Sequence, residues 1–291
     1  MRIACLVPSA TDLVASLGLA DQICGISHEC DHPEVSGRTV VTRARVAAAP
    51  AVAPEDVDAE VRATLAAGES LYVADQAALA ELRPDWVIGQ SVCDVCAVTP
   101  DEARRALPDD ADLLTLSGTS FEGLAADLRA LGGTLARPER ATARLEAVEA
   151  ALSALSPVSG EPTVIALEWS APPFLGGHWV PELVQRAGGR HLLAAPGTAS
   201  KTTSFDAIAE ARPDHIVFMP CGYDLAAAHA EAVASAPLRR AARSAGALLW
   251  ATDANRLFSR LTPDAVVQGA RTLSAILRDA PEPSVARPVP V

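Results

Sequence analysis

Six cysteines and six histidines carry most of the possible chemistry in this 291-residue chain. Cys93 and Cys96 form a Cys-x-x-Cys pair in "SVCDVC", and Cys30 sits in "HECDHP" beside His28 and His32. Cys221 follows the apolar run "HIVFMP". Thiolate and imidazole are the donors that soft metals select. Three readings of the Cys-x-x-Cys pair stand open: a redox couple, part of a metal site, or two buried thiols. The spacing lacks the second Cys-x-x-Cys of a zinc ribbon. Pro100 shortly after Cys96 argues against a redox pair opening a helix. Cys5 and Cys24 fall inside apolar runs and read as inert core residues.

Other candidates share one feature with these cysteines: each follows a predicted strand. "TVIAL" leads to Glu168 and Trp169, "GGHWVPE" presents His178 and Trp179 where a helix starts, and "LLWAT" leads to Asp253 and Asn255. Trp169, Trp179, Tyr223 and Phe258 are aromatic candidates for stacking on a flat ligand, or for packing. His191, His215 and His229 read as surface or packing residues. Lys201, the single lysine, lies in the small-residue loop "GTASKTTS", which reads as a turn. No Walker loop, dinucleotide fingerprint or nucleophile elbow is present.

The elements that must position these residues alternate. "RIACLV", "QICGIS", "DWVIGQ", "ADLLTLS", "TVIALEW", "HIVFMP" and "GALLWATD" are short apolar runs with strand-forming character, separated by helical segments. That alternation predicts parallel α/β architecture, whose ligands bind beyond the carboxyl ends of the strands. The middle differs: "FEGLAADLRALGGTLAR" and "PERATARLEAVEAALSAL" are helical, with Leu145, Val148, Leu152 and Leu155 at three- and four-residue spacing. "LAELRPDWVIGQSVCD" is answered later by "IAEARPDHIVFMPCGYD", so the chain predicts two similar lobes, with both Arg-Pro-Asp pieces as simple turns. The expected organisation is a lobe over 1–120, a helical connector over 121–158, a second lobe over 159–279 and a disordered proline-rich tail over 280–291.

Bulk properties narrow the function. Hydrophobic residues make up 49% and charged residues 21%, enough for a core. A net charge of -12 repels phosphate backbones and anionic lipid, which excludes nucleic acid as a broad partner. No run reaches the roughly 20 apolar residues of a membrane span, so no membrane insertion is expected. The N-terminus "MRIACLVPSATDLV" lacks the apolar core of an export leader. The expectation is a cytoplasmic protein with reduced thiols, extracytoplasmic only if translation starts upstream.

Taken together, "RIACLVPSATDLVASLGLADQICGISHECDHP", "SLYVADQAALAELRPDWVIGQSVCDVCAV", "ALEWSAPPFLGGHWVPELVQRAGG", "PCGYDL" and "ATDANRLFSR" resemble cobalamin-binding proteins. Those belong to the solute-binding family that carries cobalamin and iron-siderophores to ABC transporters. The resemblance implies two Rossmann-like lobes joined by a long rigid helix, of the class III periplasmic-binding-protein type, with the ligand held between them. Carried onto this chain, the cleft loops are Pro8 to Thr11 (with Ser9), Ser91 to Cys96, and Asp253 to Phe258. The resemblance implies a monomeric binding protein rather than an enzyme. Its ligand would be cobalamin or another metal chelate, and its partner on export an ABC permease. In that reading a histidine, His28 or His178, can coordinate the metal while tryptophans cover the macrocycle, and Glu168 is a polar contact. The alternative is a cytosolic metalloprotein. There Cys30, Cys93, Cys96 and Cys221, with His28 nearby, hold an iron-sulfur cluster or a soft metal ion, with catalysis at an open metal position.

Overall fold

The computed structural model describes residues 1–45, 54–92, 95 and 97–291. Cys93, Asp94 and Cys96 lie outside the described residues. The chain divides into two compact units. Unit 1 is Met1–Gly118 with Glu122–Leu145, and unit 2 is Thr119–Phe121 with Glu146–Val291.

Unit 1 runs β1 (Ile3–Cys5), α1 (Pro8–Ser16), β2 (Ile23–Ile26), β3 (Thr39–Val40), β4 (Thr42–Ala44), α2 (Pro54–Ala66), β5 (Tyr72–Ala74), α3 (Gln76–Leu82), β6 (Trp86–Gln90), α4 (Pro100–Ala106) and β7 (Asp112–Leu116). The helices α5 (Phe121–Thr134) and α6 (Pro138–Ser153) follow. The division between the units falls inside α6, after Leu145. The main sheet has the order β3-β2-β1-β6-β7 and is parallel throughout. β4 and β5 form a separate antiparallel pair. Ile3, Ala4, Cys5, Val87 and Ile88 are fully buried, as expected of strands covered on both faces. Helix starts follow local chemistry: the Asp75 carboxylate accepts the Ala78 N–H, and the Thr99 hydroxyl accepts the Glu102 N–H just before Pro100 opens α4.

Unit 2 runs β8 (Thr163–Ser170), β9 (Pro173–Leu175), α7 (Val180–Arg186), β10 (Arg190–His191), β11 (Lys201–Thr202), α8 (Phe205–Ala211), β12 (His215–Phe218), α9 (Leu225–Ala234), α10 (Ala236–Ala245), β13 (Leu248–Thr252), α11 (Ala254–Leu257), α12 (Pro263–Ile276) and β14 (Ala286–Pro288). Its sheet has the order β11-β9-β8-β12-β13-β14, with β10 also paired to β8. β10, β8, β12 and β13 are parallel to their neighbours, while β9, β11 and β14 are antiparallel additions. Ser204, Asp224, Ser235, Asp253 and Thr262 cap the five helices α8 to α12 through their side chains.

Two expectations change. The loop around Lys201 contributes an edge strand, β11, against β9. The tail is not without structure: β14 pairs with the outer edge of β13, with Ala286 and Val289 buried. Proline is tolerated there because an edge strand needs only one side of its backbone. The Val289 N–H donates to the Leu249 carbonyl at 2.8 Å, and the Asp253 N–H to the Val285 carbonyl at 3.0 Å.

Candidate functional site

In unit 1 the candidate residues gather at the carboxyl ends of β1, β2 and β6. Pro8 opens α1 directly after β1, and its fixed φ suits that position. Pro8 and Thr11 are buried, and Ser9 is half-buried. The neighbouring Cys5 thiol is fully enclosed, and burial pushes it well above the usual thiol range. Cys24 donates to the Ile3 carbonyl at 3.3 Å, and burial raises its thiol too. Cys5 fits the core role expected of it, whereas Cys24 is half-buried.

His28 is held from one side. Its backbone N–H donates to Thr42 Oγ1 at 3.0 Å, and its Nδ1 lies 2.7 Å from the same oxygen. Thr42 is buried, and its hydroxyl donates to Ser27 Oγ at 3.3 Å. With the Thr42 proton directed at Ser27, Nδ1 is the donor to Thr42 Oγ1, and that tautomer leaves Nε2 the lone pair that binds metals. Tyr72 packs on the ring at 5.5 Å between centroids, and its hydroxyl donates to Glu29 Oε1 at 3.2 Å. The β4–β5 pair supplies both Thr42 and Tyr72, which no spacing in the sequence connects to His28. Cys30 is half-buried, a free thiol one turn onward. After β6, Ser91 donates its N–H to the Leu116 carbonyl at 2.8 Å, and buried Gln90 accepts the Val92 N–H.

In unit 2 the ends of β8, β9, β12 and β13 carry the candidates. Trp169 is half-buried and meets Tyr223 edge-on, 5.8 Å between ring centroids. Tyr223 is 5% exposed, so its ring supports Trp169 from beneath. Its hydroxyl is bonded to Glu231 of α9, and burial with that carboxylate pushes its pKa far up. Glu231 also accepts the Ser170 hydroxyl, so one carboxylate ties the end of β8 to the loop after β12. The Trp169 indole N–H donates to the Ala171 carbonyl at 3.2 Å, fixing the ring further.

Glu168 works through a second carboxylate bridge. Its Oε2 accepts the Ser200 hydroxyl at 2.6 Å, and Ser200 Oγ accepts the Gly177 N–H at 3.2 Å. A Cβ on Gly177 would stand 2.3 Å from the Ser200 nitrogen, so only glycine allows this approach. The next residue, His178, has φ 52°, a left-handed conformation uncommon for a side-chain-bearing residue. Its half-buried imidazole is kept below the usual histidine range by burial, hence neutral at pH 7. Trp179 lies beside it, 6.0 Å between centroids. Asp253 caps α11, accepting the Arg256 N–H at 3.2 Å. Asn255 donates its N–H to the Tyr223 carbonyl at 2.9 Å and accepts from buried Arg260 at 3.3 Å. Asp253 and Phe258 are both buried.

Of the four thiols in the metal reading, Cys30 and Cys221 lie among the described residues. Cys30 belongs to unit 1, and Cys221 is exposed in unit 2 with its N–H on the Glu168 carbonyl at 3.3 Å. Among the described residues no three His, Cys, Asp or Glu side chains are grouped to hold a metal ion. The cysteine-ligand reading is therefore without support in them. Sequence reasoning missed Thr42, Tyr72, Ser170, Ser200 and Glu231, each of which has a partner distant in sequence, and Arg260, which bonds Asn255 five residues away. No helix among the described residues is long and apolar enough to cross a membrane.

Two α/β units carry polar and aromatic loops after their strands. The sequence profile of the periplasmic binding protein family matches residues 3–240, and the chain belongs to that family. No curated protein matches the sequence. Among solved structures, a periplasmic heme binding protein from Pseudomonas aeruginosa matches with TM-score 0.66 at 23% identity, covering 100% of this chain and 98% of that one. The periplasmic vitamin B12 binding protein of Vibrio cholerae matches with TM-score 0.62 at 18% identity, covering 95% and 97%. An ABC transporter substrate-binding protein from Listeria monocytogenes matches with TM-score 0.69 at 15% identity, covering 96% and 98%. At these identities the likeness concerns the fold.

Proposed function

We propose that this chain is a solute-binding protein for a metal-bearing chelate, with a corrinoid of the cobalamin type as its first candidate cargo and an ABC permease as its partner on export. The observation that carries this reading is the aromatic corner at the end of β8. Trp169 is half-buried, its ring set against buried Tyr223 and its indole N–H on the Ala171 carbonyl, while Glu231 holds the Tyr223 hydroxyl. A stacking surface fixed before binding loses little side-chain entropy when a flat macrocycle arrives. Two imidazole groups add metal-binding capacity. His28 has its Nδ1 committed to Thr42, and His178 is desolvated. The net charge of -12 disfavours polyanionic cargo and suits a ligand recognised by stacking and coordination. The names of the similar structures, which include heme and vitamin B12 binding proteins, agree with this class.

Visible absorption titrations with aquocobalamin and with haemin test the proposal. Saturable binding of one of them at a single site, weakened about tenfold or more by Trp169→Ala, is expected. A purified protein carrying iron and sulfide and indifferent to both probes would overturn the reading in favour of cluster chemistry. Fractionation of the native protein decides whether the permease is met.

A further inference from the structure

Unit 2 buries two imidazoles on either side of one strand. β10 places His191 opposite Val164 of β8, and β12 places His215 opposite the same Val164. His191 is 8% and His215 5% exposed. Each ring uses a lone pair as an acceptor. His191 Nε2 accepts the Ala166 N–H at 3.1 Å, while its Nδ1, 2.6 Å from the Leu192 carbonyl, carries the proton. His215 Nδ1 accepts the indole N–H of Trp250, on β13, at 3.2 Å. An imidazolium has two N–H groups and no free lone pair. Protonation would therefore set N–H against N–H at both contacts, at side chains that are buried in the sheet.

Nearby charge does not cancel this. Of the charged residues on β10 and α7, Arg190 pairs with Glu161 at 3.7 Å and Arg186 with Glu149 at 3.1 Å, while Glu182 accepts the Phe121 N–H at 2.9 Å. Glu168, at the far end of β8, accepts the Ser200 hydroxyl. Asp279 and Asp214 favour a charged His215, but burial outweighs them and its pKa is lowered. Burial lowers His191 to about 4.

We propose that His191 and His215 form an acid latch: neutral, they tie β10 and β13 into the unit 2 sheet, and protonated, they release it. Both groups have folded-state pKa values below the unfolded value. Their contribution is fully present above about pH 6.5 and is lost as pH falls toward the folded values. For His191 alone, the unfolded-to-folded ratio rises roughly twentyfold between about pH 7 and pH 5. Most carboxylates stay ionised across that window, so the histidine effect is separable. The inference is independent of the cargo.

The test is urea unfolding of the full chain at neutral pH and at mild acid, for the native sequence, His191→Gln, His215→Gln and the double variant. Glutamine keeps an amide oxygen as acceptor and takes no proton. The native chain should lose stability on acidification by the stated factor or more, and the double variant should hold its neutral-pH stability to within a few fold. A double variant as acid-sensitive as the native chain would overturn the latch. If the glutamine variants do not fold, histidine resonances and amide exchange in the native chain decide. Two imidazoles staying unprotonated through mild acid, with protection at Ala166 and Leu192 collapsing when they titrate, supports the latch. Either imidazole titrating near its ordinary value with the fold intact refutes it.

Discussion

Asp85 in unit 1 and Asp214 in unit 2 occupy the same place in two copies of one device. Each follows an arginine in the left-handed conformation, Arg83 at φ 44° and Arg212 at φ 47°, which ends a short helix. The Asp85 carboxylate accepts the Arg2 N–H at 2.6 Å, and that of Asp214 accepts the Thr163 N–H at 2.7 Å. Each aspartate also donates its own N–H to the carbonyl of that same residue, at 2.8 Å and 3.0 Å. Each then passes its carbonyl to the next strand, accepting from Asp112 and from Leu248, both at 3.0 Å. The two strand starts are built alike, but the rest of the sheets differ. Unit 2 adds antiparallel edge strands, carries three histidines whose pKa values are lowered by burial, and pins its strand ends with Glu168 and Glu231. Shared starts carry the fold, and the specialised chemistry sits where the units have diverged.

Glycine substitutions give the sharpest contrast. Gly177→Ala would force a Cβ to within 2.3 Å of a backbone nitrogen, whereas Gly89→Ala meets nothing nearer than Leu6 Cδ1 at 3.8 Å. The expected costs are about 2–3 kcal/mol for the first and under ~0.5 kcal/mol for the second, read by denaturant unfolding. Similar costs at both positions would remove the contrast.

The aspartate pair comes next. Asp214 accepts from both the N–H and the hydroxyl of Thr163, each at 2.7 Å. Asp85 has the Arg2 amide and, at 3.8 Å, the N-terminal amine. Both carboxylates are solvent-exposed, so Asp214→Ala should cost about 1–2 kcal/mol and Asp85→Ala about half that. The Thr163 bonds lower the Asp214 pKa, so its share of stability is present at neutral pH and lost as acid protonates it below the ordinary carboxylate range. Equal costs for the two variants would mean that the Thr163 hydroxyl adds nothing.

The smallest effect concerns His28. Thr42→Val removes the oxygen that fixes its tautomer and leaves the shape of the site. Nitrogen chemical shifts of His28 should move from a single Nδ1–H form toward a mixture, with stability changed by about 1–2 kcal/mol at most. An unchanged tautomer would show that the orientation is set elsewhere.

The sequence announced this comparison only in part. "ELRPDW" and "EARPDH" are legible as a repeat, and the turns are where expected. The carboxylate bridges were not legible, because their partners lie 83 and 51 residues away. Continuous apolar runs marked the buried parallel strands. The two-residue strands β10 and β11 are too short to show any period, so His191 read as a packing residue with no hint of its acceptor role. The aromatic corner was half legible. Trp169 and Tyr223 stood out by type, but nothing in the sequence joins Glu231 to Ser170. The cysteines were the loudest signal, yet among the described residues no three His, Cys, Asp or Glu side chains are grouped to hold a metal ion.

Titration of the purified chain with aquocobalamin and haemin, followed in the visible spectrum, tests the central claim most directly. The account predicts stoichiometric binding of one of these metal macrocycles, with a spectral shift that weakens in Trp169→Ala. A protein that binds neither and leaves both spectra unchanged would contradict it.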